Sequence, residues 1–239
     1  MIVVNSLRKK YGDFEALSNV SFSVQNGKVY CLLGSNGAGK STIIKIITGL
    51  LEASGGEAHI DGIKVGTDIE YKRRFGYLPE EPHLYDRITG REFLEFMGTL
   101  RDVENSLLTE RIDEIGKQLE LEGFLDREMS AYSKGMKQKI LFANSIIHKP
   151  SNLILDEPTS GLDPRYTRYL KYRVLDLARE GIAVLMSTHI TSVAADIADS
   201  IGIIHKGHLI AQGTVKQLLL DTGTDNLEDA FVEVVDGEL

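Results

Sequence analysis

One glycine-rich stretch, GSNGAGKS at residues 34–41, constrains the fold of this 239-residue chain more than any other part of it. The stretch fits the pattern G-x-x-x-x-G-K-[ST]. An apolar run, VYCLL, precedes it, and isoleucines at helical spacing follow it in GKSTIIKIITGLL. Glycines let such a loop curl until successive backbone N–H groups face a phosphate, and the next helix adds its positive end. The stretch therefore predicts a strand–loop–helix unit that binds phosphate.

Two side chains at the end of this loop have a predicted chemical role. The Lys40 ammonium can reach the outer phosphates of a nucleotide, and the Ser41 hydroxyl can bind Mg²⁺. The predicted phosphate-binding residues are Gly34, Ser35, Asn36, Gly37, Ala38, Gly39, Lys40, Ser41 and Thr42.

The short run LILDEP contains a second group of candidate residues. Its four apolar residues predict a buried strand, so that Asp156 emerges at the carboxyl end, where open α/β sheets bind ligands. Asp156 is predicted to hold Mg²⁺ through water, and Glu157 is placed to polarise an attacking water. A helix cap after a strand is the alternative interpretation of these two acids, and the phosphate loop upstream favours the first.

The order of apolar patterns along the chain predicts an α/β fold with a helical insertion. The N-terminal part alternates apolar and polar residues, and the Asn26-Gly27 pair within VSFSVQNGKVYCLLG predicts a β-hairpin. Residues 82–149 carry helical periodicity and are predicted to be wholly helical, with a capping box formed by Thr89 and Glu92.

From Pro150 onward, predicted strands and helices alternate. Asp163 can cap a helix that Pro164 opens, and a second hairpin is predicted to turn at Lys206-Gly207. Strands separated by helices predict a largely parallel sheet.

Composition and charge argue against several classes of protein. The chain is 42% hydrophobic and 26% charged, which is ordinary for a soluble globular protein, and its net charge of −8 argues against a broad nucleic-acid surface. No apolar run approaches the ~20 residues of a membrane span, and the N-terminus lacks the order of a signal peptide. We therefore expect an intracellular protein that does not insert into a membrane. Cys31 is interpreted as a core residue, with a reactive thiol as the alternative.

Several separated motifs carry a family resemblance. GSNGAGKS, YSKGM, LILDEPTSGLDP and STH occur in this order, and together they resemble the nucleotide-binding domain of ATP-binding-cassette (ABC) transporters over nearly the whole chain. The details GYLPEE and YSKGMKQK look most like ATPase subunits of bacterial ABC-2-type exporters. The resemblance implies a P-loop NTPase (RecA-like) core with a mostly parallel sheet, an N-terminal antiparallel β subdomain and an inserted helical subdomain.

The resemblance also implies domain limits and an activity. Residues 1–239 would form one ABC ATPase domain. Its core and antiparallel β subdomain would comprise residues 1–81 and 150–220, its helical subdomain residues 82–149, and a C-terminal helical tail residues 221–239. The implied activity is the Mg²⁺-dependent hydrolysis of ATP.

Residues outside the phosphate loop acquire roles through the same resemblance. Tyr11 matches an aromatic residue that stacks on adenine, with an exposed tyrosine in a turn as the alternative. Gly161 and Asp163 match a loop that signals between two ATP sites, and His189 matches a histidine that contacts the γ-phosphate. The implied catalytic residues are Glu157, His189 and Lys40. The remaining histidines match nothing and are interpreted as surface or turn residues: His59, His83, His148, His205 and His208.

One departure from the family pattern concerns the metal site. Glu80 stands where the family has a glutamine between the core and the helical lobe. A carboxylate there can still approach Mg²⁺. The implied metal ligands are therefore Ser41, Asp156 and Glu80.

A second departure concerns the family signature, normally L-S-G-G-Q, which appears here as YSKGM at residues 132–136. Ser133 and Gly135 keep the hydroxyl and the backbone N–H that contact phosphate, and Ser133, Lys134 and Gly135 are implied nucleotide-binding residues. The stretch AYSKGMKQKI places three lysines at a helix start, which already carries positive charge. Solvated lysines are one interpretation. The resemblance implies another, in which this helix start meets the γ-phosphate held by Lys40 of a second copy.

The function implied by the resemblance is that of an ATP-binding and ATP-hydrolysing transporter subunit. Two copies would join head to tail around two ATP molecules and drive translocation, with export favoured, by separate membrane-spanning subunits. Residues 82–110 and Glu80 are the candidate contacts with those subunits, which would hold the chain at the inner face of the cell membrane. The transported substrate, the membrane partner and the identity of the second ATPase copy stay open.

Three other classes of function fit the sequence less well. A soluble ABC-type ATPase of DNA repair or of the ribosome usually has a long coiled coil or two fused cassettes, and neither pattern occurs in this sequence. A P-loop kinase for a small substrate would have no use for YSKGM together with His189. A scaffold that binds ATP without hydrolysing it is disfavoured by Glu157.

Overall fold

The computed structural model describes residues 1–66, 68–81 and 84–237, which form an α/β architecture. The strands are β1 (Ile2–Tyr11), β2 (Phe14–Val24), β3 (Val29–Leu33), β4 (Gly55–Ile60), β5 (Ile63–Lys64), β6 (Phe75–Leu78), β7 (Asn152–Leu155), β8 (Ala183–Thr188), β9 (Ser200–His205) and β10 (His208–Gly213). The α-helices are α1 (Lys40–Ile47), α2 (Gly90–Leu100), α3 (Asn105–Gln118), α4 (Lys134–Ile146), α5 (Pro164–Arg179), α6 (Thr191–Ile197), α7 (Val215–Thr222) and α8 (Leu227–Asp236).

The strands form an antiparallel and a mostly parallel sheet. The antiparallel sheet has the order β2-β1-β4-β5, and the other has the order β10-β9-β3-β8-β7-β6. In the second sheet β9, β3, β8, β7 and β6 pair in parallel, and β10 pairs antiparallel with β9. Every residue of β3, β7 and β8 is buried, which explains their continuous apolar runs. The predicted α/β fold class, with its antiparallel sheet and helical insertion, is confirmed.

Apolar side chains form a core on each side of the parallel sheet. One core joins the antiparallel sheet to α1 and to residues of β3 such as Leu32. The other joins the helices α2 to α6 to the opposite face of β3, β7 and β8. The parallel sheet is therefore covered on both faces. The ends of its strands remain uncovered, and polar groups can gather there.

The prediction of a β-hairpin at Asn26-Gly27 is wrong. The two strands on either side of this turn belong to different sheets, because β2 pairs with β1 while β3 pairs with β8 and β9. The reason is burial: a strand that is apolar on both faces gains more from a central place in the parallel sheet than from an exposed two-stranded ribbon.

The prediction that residues 82–149 are wholly helical is also too broad. The segment contains α2, α3 and α4, but residues 119–133 are turns and loops apart from the short 3₁₀ helix Met129–Ala131. Residues 82 and 83, and with them the prediction for His83, lie outside the described residues. Helix α4 ends at Ile146, so residues 147–149 also lie outside it. No helix in the described ranges is long and apolar enough to span a membrane.

The predicted local signals are confirmed where their partners are close in sequence. Thr89 and Glu92 form both bonds of a capping box at the start of α2. The Asp163 carboxylate accepts a hydrogen bond from the Tyr166 backbone N–H at 2.9 Å and caps α5. The hairpin β9–β10 turns at residues 206–207, as predicted. Cys31 is fully buried, and burial raises the pKa of its thiol, so its interpretation as a core residue is confirmed.

His148 lies in the turn after α4, but its ring is largely enclosed. Its Nε2 is 3.1 Å from the Phe75 carbonyl oxygen and 3.5 Å from Arg101 Nη1. Burial, together with the charges of Arg101 and Arg111, lowers the pKa of His148 from 6.5 to about 4. The neutral ring, which donates Nε2–H to the carbonyl, is therefore the stable form in the folded chain.

This pKa predicts a loss of stability in acid. Between pH about 6.5 and about 4 the unfolded chain binds the His148 proton and the folded chain does not, so the free energy of unfolding falls as the pH drops through this window. We expect His148 to contribute about 2–3 kcal/mol of this fall between neutral pH and about pH 4.5. Urea unfolding at neutral pH and at about pH 4.5 measures this fall. His148→Gln should remove most of the contribution of His148, whereas replacing the exposed His208 with glutamine should leave the fall unchanged. An equal fall in both variants would contradict the assignment.

Candidate functional site

A cavity of about 520 Å³ opens where β3 ends and the glycine-rich loop begins. The loop residues Asn36 and Lys40 line one side of it, and Glu157, two residues beyond β7, lines another. Tyr11, the last residue of β1, and Lys206, in the turn between β9 and β10, complete the mouth. The cavity therefore lies at the carboxyl edge of the parallel sheet, where open α/β sheets bind ligands.

The backbone of the loop requires glycine at two positions. Gly39 precedes α1 with φ 114°, a conformation that side chains rarely adopt, and an added Cβ would lie 2.8 Å from Leu17 Cδ2. At Gly34 an added Cβ would lie 2.5 Å from the Ile204 carbonyl oxygen. The loop is thus pressed against its neighbours. No side chain caps the start of α1, so the N–H groups of its first turn face the loop.

Lys40 is held by oxygen atoms from both sides of the cavity. Its Nζ donates to the carbonyl oxygens of Gly34 and Ser35 at 2.8 and 3.1 Å and lies 3.1 Å from Glu157 Oε1. The side chains of Lys40 and Glu157 are only 5% and 4% exposed. This buried ion pair joins the phosphate loop directly to the end of β7, and each charge depends on the other for compensation.

Glu157 is held in a strained conformation by contacts on several sides. Its φ is 46°, in the left-handed region, and its backbone N–H donates to Ser187 Oγ at 2.9 Å. Its Oε2 lies 2.9 Å from His189 Nδ1. The structure therefore brings together the three residues predicted to be catalytic: Lys40, Glu157 and His189.

Asp156 and Ser41 form the oxygen-rich part of the site. Ser41 Oγ donates to Asp156 Oδ1 at 3.3 Å, and Ser187 Oγ donates to the same oxygen at 2.6 Å. Burial raises the pKa of Asp156, and these two hydrogen bonds oppose the rise. A nearby divalent cation would favour the ionised carboxylate.

The Asp156–Ser41 pair has the chemistry that Mg²⁺ requires. This ion prefers oxygen ligands and takes only one or two from carboxylates, leaving the others to water and substrate phosphates. In the described parts of the chain no group of three or more His, Cys, Asp or Glu side chains surrounds a common point. One carboxylate beside one hydroxyl, at the end of a phosphate loop, fits this ion. Glu80 is exposed and lines a neighbouring cavity with Ser41 and Asp156.

The predicted adenine-binding residue lies at the mouth of the cavity. Tyr11 is 50% exposed, and Lys9 Nζ lies 5.1 Å from the centre of its ring. Phe14, which was not predicted, is 68% exposed and lines the same wall. Phe14 follows Tyr11 after a two-residue turn, so paired aromatics around a hairpin turn were the available signal.

Ser187 is a further residue that the sequence prediction missed. It contacts both Asp156 and the backbone of Glu157, and it therefore positions the two acids. The signal was its place at the polar end of an apolar strand, directly before Thr188 and His189 in STH.

The residues of the YSKGM motif do not join the cavity of their own chain. Ser133 caps α4 and is exposed, and neither it nor Lys134 or Gly135 lines the nucleotide-sized cavity. A Cβ added at Gly161 would overlap Lys134 Nζ, so this lysine lies over the loop that precedes α5.

The other two lysines of this helix start have acidic neighbours within the chain. Lys137 lies 3.9 Å from Asp86, and Lys139 lies 3.5 Å from Glu120. Acidic side chains of the same chain thus partly compensate the positive charge of this helix start. Ser133 itself remains exposed to solvent.

Known proteins resemble this chain over almost its whole length. Residues 17–160 match the family model described as ABC transporter. The chain is 33% identical over 238 residues to the ABC transporter ATP-binding protein NatA of Bacillus subtilis (strain 168), covering 97% of each chain. It is 36% identical over 233 residues to the lantibiotic transport ATP-binding protein SrtF of Streptococcus pyogenes, covering 97% of this chain and 96% of SrtF.

Solved structures agree with these relatives. The ATP-binding subunit of an ABC transporter superposes with a TM-score of 0.92 at 34% identity, over 98% of this chain and 99% of that one. A dimeric post-hydrolysis state of the ATP-binding cassette MJ0796, bound to ADP and Pi, superposes with a TM-score of 0.81 at 26% identity, over 90% and 98%. Because the family model matches more than half of the chain and the relatives cover nearly all of it, this chain belongs to the ABC transporter family.

Proposed function

We propose that this chain is the ATP-binding and ATP-hydrolysing subunit of an ABC transporter and that it powers export through separate membrane-spanning subunits. The observation that carries the proposal is the convergence of Lys40, Glu157 and His189 beside a glycine-rich loop and an Asp156–Ser41 pair. Family membership and the solved ADP-and-Pi complex of a related cassette support the same reaction.

In this proposal ATP is the substrate, and its phosphates bind residues 34–42. Lys40, the loop N–H groups and the first turn of α1 supply the positive charge. Lys40 turns from Glu157 to the outer phosphates, which frees the Glu157 carboxylate to accept a proton from water. His189 holds the other carboxylate oxygen and faces the γ-phosphate. Tyr11 stacks on adenine.

Ser41 and Asp156 would hold Mg²⁺, with Glu80 facing the same space. When bound, the ion neutralises negative charge on the phosphates. Ser187 keeps Asp156 and Glu157 in place through one hydroxyl, which accepts from one residue and donates to the other. This chain's own contribution is therefore to orient both acids on a rigid strand end.

The site is completed by a second copy of the chain. Ser133, Lys134 and Gly135 lie at the exposed start of α4 and do not line the phosphate-binding cavity of their own chain. The related cassette is dimeric. Head-to-tail pairing would bring this helix start to the ATP held by the partner copy, and Gly161 and Asp163 would lie between the two sites. Closure on ATP and opening after hydrolysis would then drive the membrane subunits.

A groove on the helical side has the character expected of the membrane-subunit contact. Leu50, Ile69 and Leu100 are 65%, 73% and 61% exposed and line a cavity of about 320 Å³ beside Lys72 and Arg73. Exposed apolar side chains grouped in this way mark a protein-binding surface. Its occupant would be a short cytoplasmic segment of the separate membrane-spanning subunit. This groove includes part of residues 82–110 and would place the chain on the inner face of the membrane.

The transport function can be tested by purification from detergent-solubilised membranes. We expect membrane-spanning proteins to co-purify with the wild-type chain and to be lost from Leu100→Glu, because a charged carboxylate replaces an apolar contact and must lose its water when the partner segment binds. ATP affinity should not change. Leu220→Glu, at an exposed leucine of α7 outside the groove, is the matched control and should keep the partners. Recovery of ribosomes or DNA, with no membrane protein, would refute the proposal.

A further inference from the structure

A further cavity, of about 490 Å³, lies at the amino ends of the parallel strands, opposite the phosphate loop. Ser151 precedes β7 and Ile182 precedes β8, and both line this cavity, whereas the nucleotide cavity lies where the strands end. Residues of α3, α5 and the turn after α4 form the remaining walls. The cavity is therefore separate from the ATP site, and it bridges the helical insertion and the core.

Two arginines in its walls have no carboxylate partner. Arg111 of α3 donates from Nη1 to the Ile147 carbonyl oxygen at 3.4 Å, and Arg173 of α5 donates from Nη2 to Gln118 Oε1 at 2.8 Å. Within residues 1–66, 68–81 and 84–237, neither forms an ion pair, and the buried Nε of Arg173 has no hydrogen-bond acceptor. A buried N–H of this kind costs about 1–3 kcal/mol, which favours a shift of the Arg173 guanidinium toward an acceptor in the cavity.

The remaining lining residues define the ligand. Lys149 adds a third cation, and Glu114 and Glu180 add two carboxylates, which leaves one excess positive charge in a chain whose net charge is −8. The apolar side chains of Ile115 and Leu177, 8% and 6% exposed, line the same space. The ligand therefore needs one negative group and a small apolar body. A planar carboxylate matches the two N–H groups on one side of a guanidinium.

We propose that this cavity binds a small organic monocarboxylate with a short apolar tail. The carboxylate pairs with the Arg173 guanidinium, which shifts toward the cavity to offer two N–H groups, and Arg111 adds charge from the facing helix. The tail packs between Ile115 of α3 and Leu177 of α5. The volume is within the range of small-molecule sites. A ligand in this position joins the helical insertion to the core, because α3 and α5 belong to these two parts.

The binding is tested by isothermal titration of the wild-type chain with hexanoate. We expect saturable binding of one hexanoate per chain, and no binding of hexylamine, which has the same tail and the opposite charge. Inorganic phosphate, which lacks the tail, should bind about tenfold more weakly or not at all when a non-hydrolysable ATP analogue fills the ATP site. This comparison needs no variant. Failure of hexanoate to bind, or equal binding of hexylamine or of phosphate, would overturn the proposal.

Variants then locate the site. Arg173→Gln should weaken hexanoate binding about tenfold or more, because it removes a charge-assisted hydrogen bond, and Arg111→Gln provides an independent second change. The matched control is Arg179→Gln on the same helix, since Arg179 is 76% exposed, pairs with Asp176 and lies outside the cavity. It should leave hexanoate binding unchanged. Equal affinities in all three variants would assign the ligand to another place and overturn the inference.

Discussion

Replacing Glu157 with glutamine is expected to lower ATP hydrolysis about 10²- to 10⁴-fold while leaving ATP binding intact. The amide keeps the shape of the side chain and a polar atom near His189, but it cannot accept a proton from the attacking water. Phosphate release at saturating Mg²⁺ and ATP measures the first effect. Size-exclusion chromatography with ATP tests the retained ATP binding, because a chain that binds ATP without hydrolysing it should accumulate as an ATP-held dimer.

The same variant has a second expected effect, on stability. Without nucleotide, Glu157→Gln leaves the buried Lys40 ammonium with carbonyl oxygens only, and breaking a buried ion pair in this way costs about 3–5 kcal/mol of unfolding free energy. ATP should restore most of this loss, because its phosphates replace the missing carboxylate. Thermal unfolding with and without ATP measures the difference.

The control for both effects is Glu122→Gln, the same chemical change at an exposed glutamate of the helical insertion. It should alter neither hydrolysis nor the response of stability to ATP. Hydrolysis at the wild-type rate by Glu157→Gln would show that another group accepts the proton.

Changing Ser133 is expected to separate ATP binding from ATP hydrolysis. Ser133 is exposed at the start of α4, its Oγ accepts from the Met136 N–H at 3.3 Å, and it lies outside the cavity that holds Lys40. Ser133→Arg should leave ATP affinity of the monomer nearly unchanged and suppress hydrolysis at least about tenfold, because it would remove the proposed contact with the partner's phosphate and place a large side chain in the proposed interface. Nucleotide titration at low protein concentration and phosphate release at high concentration measure the two.

A second substitution at this position removes an ambiguity. Ser133→Arg also removes a helix cap, which costs about 1 kcal/mol, whereas Ser133→Asp keeps the cap and favours the helix start electrostatically. The aspartate should therefore retain stability and still suppress hydrolysis, since it repels the partner's ATP. Thr214→Arg, which removes the cap of α7 in the same way, should lower stability alone. Equal loss of ATP binding and hydrolysis in both Ser133 variants would rule out a role between subunits.

Much of the local structure could be predicted because the interacting groups are close in sequence. The capping box joins Thr89 to Glu92, the cap of α5 joins Asp163 to Tyr166, and the β9–β10 hairpin closes over one turn. In each of these cases the backbone and one nearby side chain satisfy each other's hydrogen bonds. Such signals depend little on the rest of the fold.

Partner choice between strands could not be predicted in the same way. The Asn26-Gly27 turn reverses the chain, but a turn does not specify which strand lies beside β3. That choice depended on covering both apolar faces, which requires strands β8 and β9 from the far end of the chain. The role of Ser187 was missed for a related reason, because its contact with Asp156 exists only in the register that pairs β7 with β8.

The phosphate loop, the acid pair after β7, the helix caps and the α/β class could all be predicted from the amino-acid sequence, because each depends on short-range chemistry or on the order of apolar runs. Tertiary packing was needed to bring Ser41 to Asp156 across 115 positions and to bring both Lys40 and His189 to Glu157. It also decided that the helix start at Ser133 lies apart from its own phosphate loop. The physical reason is that buried charges and strand edges are satisfied by whichever groups the packed sheet brings near them, however distant those groups are in sequence.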